Sequence, residues 1–270
     1  MEPTLVVAAL WLLFGGTHVG LAVRPVRERL VARLGEKGFV LLFWIVAAVT
    51  FSLLALGYER FATRGLPGPA LGAVAGLRPL LIGVLVLGLV LMASSFASYL
   101  RSPYAATFSG PRPWRVVGVA RITRHPFFVG LALFATAHAL LATRLSGTTF
   151  WAGFVLLATL GMVHVDRKLL AAHGEPFADY LRQTSALPFA AVLRGRQTLA
   201  WSDVPLAAIV VGIALAWLLR AVHATLTAHI GPISIAMVVG GAAVLSLQAV
   251  YAGTRRARRS AAVSSQPRQA

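Results

Sequence analysis

The chain of 270 residues is 58% hydrophobic and only 12% charged. This composition excludes an ordinary soluble domain and indicates a membrane protein. The net charge of +17 needs no nucleic acid to explain it, because lysine and arginine collect in the cytoplasmic loops of membrane proteins. The chain contains no cysteine, which excludes disulfides, thiolate-ligated haem, iron–sulfur clusters and cysteine nucleophiles.

Repeated apolar runs predict an all-α integral membrane protein, a polytopic bundle of about seven transmembrane helices. Each run is judged against the length needed to cross a hydrocarbon core of ~30 Å. Six is the alternative count, because the fifth and sixth runs are short and Gly231 and Pro232 blur the last one. The predicted spans are 4–23, 38–57, 80–99, 126–143, 149–164, 204–219 and 231–251.

The distribution of lysine and arginine predicts the orientation of the bundle. Segments 24–37, 100–125, 165–203 and the tail after Tyr251 each carry five of these residues, whereas the intervening loops carry five in all. Positive charge marks the cytoplasmic side, so we expect the N-terminus outside and the C-terminus in the cytoplasm. We also expect the basic segments to attract anionic lipid headgroups at the cytoplasmic face of the bilayer.

Acidic residues, two long loop segments and the C-terminal tail allow further predictions. All eight acidic residues lie outside the predicted spans or at their edges, which argues against an ion pump built on buried carboxylates. Segment 100–125 is expected to lie along the interface, anchored by Tyr104, Phe108 and Trp114. Segment 165–200 is expected to open with a short amphipathic helix that breaks at His173-Gly174, and residues 260–270 are expected to be disordered.

Two of the seven histidines lie in the stretch RITRHPFFVGLALFATAHALL, residues 121–141. Pro126 suits the first position of a helix, so His125 is expected at the N-cap of the fourth span. There the helix dipole and Arg124 suit an anionic group such as a phosphate, a carboxylate or a haem propionate. His138 follows 13 residues later, about 20 Å along a straight helix, so the two cannot ligate one metal ion from that helix.

Depth in the bilayer limits which histidines can share a haem iron, since axial imidazoles must lie at similar depth. His18 and His164 are expected near the cytoplasmic side with His125, whereas His138, His223 and His229 are expected near the outer side. On depth alone, the reachable pairs are His18 with His125 and His138 with His223.

Several of these motifs together resemble the NnrU family of bacterial membrane proteins over roughly residues 4–235. They are LFGGTHVG in the first span, LVARLGEKGFVLLFWIVAAVTFSLLALGY around the second, RITRHPFFVG with AHALL, and WLLRAVHATL. The resemblance implies one NnrU-like transmembrane domain over 1–235, followed by an extension at 236–259, which ends the last helix in a basic segment, and by the tail. It also implies a multi-pass protein of the bacterial inner membrane.

The NnrU resemblance implies a function in nitrogen-oxide metabolism and denitrification, or a redox or isomerase enzyme acting on a lipophilic substrate. A relative of the family is the zeta-carotene isomerase, a haem-b membrane enzyme that isomerises a cis double bond. Matching positions imply His18 and His138 as ligands of the haem iron, with His125 essential nearby. The cysteine that is an alternative ligand in that enzyme falls near Ala135 here.

A second resemblance is to isoprenylcysteine carboxyl methyltransferases and related phospholipid methyltransferases. RHPFFVG and VDRKLLAAHGEPFADYLRQTSALP look like their paired cytoplasmic motifs, which close over S-adenosylmethionine. The motif residues kept here are Arg124, His125, Pro126, Gly130, Leu169, Gly174 and Tyr180. Phe128 replaces a tyrosine, Val165-Asp166 replaces an acidic pair, and His173-Gly174 replaces Phe-Gly. A cytoplasmic polar pocket that contains His125 and Asp166 is expected under either resemblance.

Three functions therefore stay open. The first is a haem-binding NnrU-type redox enzyme or isomerase, the second an S-adenosylmethionine-dependent methyltransferase acting on a lipid or prenylated substrate, and the third a non-catalytic assembly or regulatory protein of denitrification. Candidate catalytic residues are His125, Arg124 and Asp166. Candidate cofactor-binding residues are His18, His138, His125 and His223, with His18 and His138 as candidate iron ligands.

Overall fold

The computed structural model describes residues 2–98, 114–200, 203–237 and 239–240. Over these residues the fold is all-helical, with no β-strand beyond one isolated bridge between Pro67 and Arg144. The helices are α1 (Pro3–Ala22), α2 (Arg24–Phe61), α3 (Leu77–Ser98), α4 (Pro126–Leu141), α5 (Leu145–His173), α6 (Glu175–Gln183), α7 (Ala190–Leu193), α8 (Leu206–Ala221) and α9 (His223–Ala228). Residues 230–237 are also helical.

Four helices in the described part of the chain are long and apolar enough to cross a membrane, namely α1, α2, α3 and α5. Helices α4 and α8 are apolar but have only 16 residues each. The all-helical class is confirmed, and six of the seven predicted spans coincide with helices. The count of seven and the orientation of the termini stay predictions, because most of the last span lies outside the described residues.

Helix boundaries differ from the predicted ones where glycine decides them. The basic segment 24–37 belongs to α2 and is helical except at Gly35. Gly35 has φ of +70° and breaks the helix just before the predicted second span. The fifth span was predicted to end near residue 164, but α5 continues to His173 because Gly174, with φ of +59°, is the first residue that interrupts it. The break at His173-Gly174 is confirmed, and the separate amphipathic helix begins only after it.

The described chain forms two compact units. The first contains residues up to Trp11 together with Arg60–Thr225, and the second contains Leu12–Glu59 together with the described residues from Leu226 onward. In the first unit, α3 packs on both α4 and α8, and α4 packs on α5. Ser146 at the start of α5 donates a hydrogen bond to the carbonyl oxygen of Phe61 at 2.9 Å.

The predicted domain boundaries near 235 and 259 stay predictions. Tyr104 and Phe108, the basic segment Arg255 to Arg259 and the tail 260–270 lie outside the described residues. Trp114, the third expected interface anchor, is described and packs instead on a small core of Leu169, Phe177 and Tyr180.

Candidate functional site

A buried polar centre lies where α4 begins, in the first unit. His125 is the N-cap residue of α4 and Pro126 occupies the first turn, which confirms the predicted helix start. The imidazole makes no capping hydrogen bond to the helix and faces α5 instead, where its Nε2 lies 3.0 Å from Oδ1 of Asp166. His125 is only 2% exposed, so this contact is shielded from bulk water.

Arg124 holds the other oxygen of the same carboxylate. Its Nε and Nη2 donate to Oδ2 of Asp166 at 3.0 and 2.6 Å, and Nε also lies 3.2 Å from Oδ1. The two side chains are 16% and 17% exposed. Charge-assisted pairs of this forked geometry are among the stronger polar contacts in proteins. Asp166 therefore serves two partners at once, with Oδ2 turned to Arg124 and Oδ1 turned to His125.

The backbone around this centre is tied to the segment that follows α6. Loop 122–125 and segment 184–189 exchange hydrogen bonds, so the start of α4 is held against the end of the second motif. The fully buried Thr123 takes part with its hydroxyl group, which both donates and accepts. The bonds are Arg124 N to Ser185 O at 2.9 Å, Thr123 Oγ1 to Ala186 O at 2.7 Å, Phe189 N to Ile122 O at 2.9 Å and His125 N to Thr123 Oγ1 at 3.2 Å.

Tyr180 lies beside the centre and was not among the predicted site residues, although the methyltransferase-like motif contains it. It is 4% exposed, and its ring stacks on Phe177 with the centroids 5.8 Å apart. Burial raises the pKa of the Tyr180 phenol, the charge of Arg124 opposes this effect, and the charge of Asp166 adds to it. The phenol therefore stays protonated across the physiological pH range.

Phe128 covers the imidazole of His125 on the α4 side. The two ring centroids are 6.0 Å apart and the planes are inclined by 70°. Gly161 of α5 makes room for the phenyl ring, since a Cβ there would lie 2.6 Å from Cε1 of Phe128. The sequence does not single out this glycine, because the close approach of a helix to a ring on another helix leaves no local pattern.

His138 lies in the same helix, at the far end from His125. Its Nδ1 lies 2.9 Å from the carbonyl oxygen of Phe134, and its ring stacks on Trp151 at 4.3 Å with an interplanar angle of 28°. His138 therefore has both a hydrogen-bond acceptor and a stacked aromatic ring in its immediate surroundings.

His18 belongs to the second unit and lies in an apolar setting. Its ring centroid is 5.4 Å from that of Phe14 and 5.0 Å from that of Phe43. The Nδ1 atom is buried, with no hydrogen-bond partner within the described segments. Such a nitrogen is an uncompensated cost unless a further group binds it.

The structure thus brings three predicted residues together and leaves the others apart. Arg124, His125 and Asp166 form one centre, as expected from the pairing of the two cytoplasmic motifs. His138 lies 13 residues further along the chain, and His18 is described with the other unit. Within the described ranges, no group of three or more histidine, cysteine, aspartate or glutamate side chains is arranged to hold a metal ion.

The fold and the site together are those of a polytopic helical membrane protein with a buried Arg–Asp–His centre at the end of its helices. The chain belongs to the NnrU family, because the model for "NnrU protein" matches residues 6–232.

Two curated relatives are similar to most of the chain. The 15-cis-zeta-carotene isomerase of Arabidopsis thaliana is 29% identical over 201 residues, which are 73% of this chain and 53% of the relative. The isomerase of the same name from Zea mays is 31% identical over 205 residues, 72% of this chain and 52% of the relative. The chain thus spans about half the length of these curated relatives. No solved structure matches it.

Proposed function

We propose that this protein is a membrane-bound isomerase that converts a cis double bond of a long polyene to the trans form. The observation that carries this proposal is the similarity to two 15-cis-zeta-carotene isomerases over nearly three quarters of the chain. A hydrocarbon substrate of this class dissolves in the bilayer, and helices apolar enough to cross a membrane provide the surface that meets it there. The reaction changes geometry alone and leaves composition unchanged.

A haem b is the proposed cofactor. The family resemblance implies His18 and His138 as the ligands of its iron, whereas the depths expected from the predicted spans pair His18 with His125. Each of His18 and His138, taken within its own unit, has surroundings that suit an iron ligand. In His138, Nδ1 donates to the Phe134 carbonyl oxygen, which leaves Nε2 as the nitrogen with a free electron pair. Metal-binding histidines are typically oriented by such a bond from the other ring nitrogen. In His18, a buried ring nitrogen without a hydrogen-bond partner among the described residues would be available to hold the iron in an apolar setting.

The aromatic side chains around these histidines suit a flat apolar cofactor or polyene. Trp151 stacks on His138, and Phe134 lies against both rings. When bound, a haem would supply a redox-active iron, and the rings would exclude water from it. The chain has no cysteine, so any exchange of iron ligands in this protein would draw on histidine or on a non-protein group.

The polar centre at His125 has a different task in this proposal. His125 and His138 are separated by about 20 Å along α4, so His125 does not share an iron with His138. Its place at a helix start, in contact with a carboxylate, suits a group that holds or transfers a proton. His125 and Arg124 are accordingly proposed as residues of the reaction site on the cytoplasmic side.

The membrane in question is proposed to be the bacterial inner membrane, with the N-terminus outside. Basic residues in segments 24–37 and 165–203 would then face anionic lipid headgroups. A part in nitrogen-oxide metabolism is kept as a proposal that rests on the family alone.

A second candidate function is methyl transfer from S-adenosylmethionine. The observation that favours it is the contact between the two cytoplasmic motifs, in which Arg124 and His125 meet Asp166. The two functions differ in a direct way, because methyl transfer consumes a co-substrate and isomerisation does not.

The test is a reaction in the dark with purified protein in lipid nanodiscs and 15-cis-zeta-carotene as the probe. Darkness is needed because light isomerises polyenes without an enzyme. The proposal expects loss of the 15-cis isomer and gain of its trans isomer in chromatography, with no change in mass. If the haem-loaded protein leaves all of the 15-cis isomer unconverted, the proposed isomerase function is overturned. Saturable binding of S-adenosylmethionine, lost in His125→Ala, would favour methyl transfer instead.

A further inference from the structure

The carboxylate of Asp166 has an asymmetric environment. Oδ2 receives two donors of Arg124, at 3.0 and 2.6 Å, whereas Oδ1 lies 3.0 Å from Nε2 of His125 and 3.2 Å from the nearer guanidinium nitrogen. A carboxylate only accepts hydrogen bonds. An unprotonated Nε2 would turn its lone pair toward this carboxylate oxygen, so a proton on Nε2 is the favourable arrangement at 3.0 Å.

We propose that Asp166 is a positioning residue that fixes the tautomer and the orientation of the His125 ring. Arg124 serves this arrangement by holding Asp166, and Phe128 closes over the imidazole. The orientation of a histidine by a buried carboxylate is a general device in acid–base catalysis, where it determines which nitrogen carries the proton. The proposal rests on the proposed function only for its effect on turnover, since the tautomer is a property of the resting protein.

The surrounding structure keeps this arrangement rigid. Thr123 and Arg124 are tied by hydrogen bonds to Ser185 and Ala186, and the His125 backbone N–H donates to the Thr123 hydroxyl. With the ring 2% exposed, water has little access to compete for Nε2. The ring is thus held by α4 on one side and by α5 on the other.

Asp166→Asn gives a sharp test because the amide has one acceptor and one donor. Arg124 presents two donors at Oδ2, so the amide oxygen will settle there. The amide NH₂ group will then occupy the place of Oδ1 and face Nε2 of His125. Nε2 of His125 must then accept a hydrogen bond from this NH₂ group, so the proton of the imidazole ring must move to Nδ1. Removing one charge without changing the shape of the side chain therefore reverses the tautomer.

Asp203→Asn is the matched control. Asp203 pairs with Arg121 at 2.9 Å, and the side chains of Asp203 and Arg121 are 17% and 26% exposed. Asp203 also accepts a hydrogen bond from the Gly118 N–H at 3.2 Å. Like Asp166, it is a partly buried aspartate paired with an arginine in the first unit. The ion pair of Asp203 with Arg121 contains no histidine. The Asp203→Asn variant therefore tests the general effect of breaking such a pair.

The measurement is nitrogen NMR of histidine-labelled full-length protein in nanodiscs at mildly alkaline pH, with His125→Gln to assign the signal. The expected result is an Nε2-protonated ring in the wild type and in Asp203→Asn, and an Nδ1-protonated ring in Asp166→Asn. Turnover of the polyene should fall at least about 100-fold in Asp166→Asn, by analogy with known histidine-orienting aspartates, and recover in part in Asp166→Glu. An unchanged tautomer in Asp166→Asn, or the same change in Asp203→Asn, would overturn the proposal. An altered tautomer in a protein that isomerises nothing would instead sink the proposed function alone.

Discussion

Gly88 of α3 and Gly130 of α4 face each other at the point where these helices cross. A Cβ on Gly88 would lie 2.6 Å from the carbonyl oxygen of Gly130, and a Cβ on Gly130 would lie 2.5 Å from that of Gly88. Small residues allow this close backbone approach between membrane helices. Gly130 is five residues from His125, so this crossing lies close to the polar centre at the start of α4.

Gly130→Ala should therefore destabilise the protein. The added methyl group meets backbone rather than a mobile side chain, and overpacking of this kind costs about 1–3 kcal/mol. Thermal unfolding in detergent measures the effect. The control is Gly83→Ala in the partner helix α3, where a Cβ meets nothing within 4 Å and the higher helix propensity of alanine is worth about 1 kcal/mol. Equal stability of the two variants would show that the crossing is not close.

Arg124 and Arg182, the ion-paired arginines of the two motifs, should differ greatly in their contribution to stability. Arg124→Gln leaves the largely buried Asp166 without its cation and should cost about 3 kcal/mol. Arg182→Gln should have little effect on stability, because Arg182 is 58% exposed and pairs with the exposed Glu175 and Asp179. Chemical denaturation of both variants is the comparison. A loss in Arg182→Gln as large as that in Arg124→Gln would contradict the role given to burial.

Tyr180 should make the free energy of unfolding decrease as the pH becomes alkaline. Its pKa is raised in the folded protein above the ordinary value of about 10, so the folded state favours the neutral phenol. The stabilisation is fully present below about pH 10 and is lost as the pH rises further. The absorbance of tyrosinate should show one group that ionises only on unfolding, and this group should be missing in Tyr180→Phe. Five tyrosines that all ionise in the folded protein would refute the assignment.

The local features of this protein were predictable from sequence, and the pairing of distant residues was predictable only in part. Pro126 and Gly174 determine helix ends by their own backbone chemistry, so the start of α4 and the break after α5 were predicted correctly. The meeting of Arg124 and His125 with Asp166 followed from placing two motifs on the same side of the membrane.

Other features have no local signal. The approach of Gly161 to Phe128 and the hydrogen bonds of Thr123 depend on how α4, α5 and segment 184–189 pack, which no periodicity records. The length of α5 was underestimated because charged residues from Asp166 onward end the apolar run without ending the helix. The stack of His138 on Trp151 likewise joins two helices that are separate in the sequence.

Haem binding is the central expectation for this protein, and one measurement tests it most directly. This is the visible spectrum of the protein purified in detergent from haem-replete cells, oxidised and then reduced with dithionite. We expect a Soret band with sharp α and β bands on reduction, lost or shifted in His18→Ala and in His138→Ala. The exposed His164 of α5 provides the control, since His164→Ala should leave the spectrum unchanged. A folded but colourless protein, or a spectrum that survives both substitutions, would contradict the assignment of His18 and His138 as haem ligands.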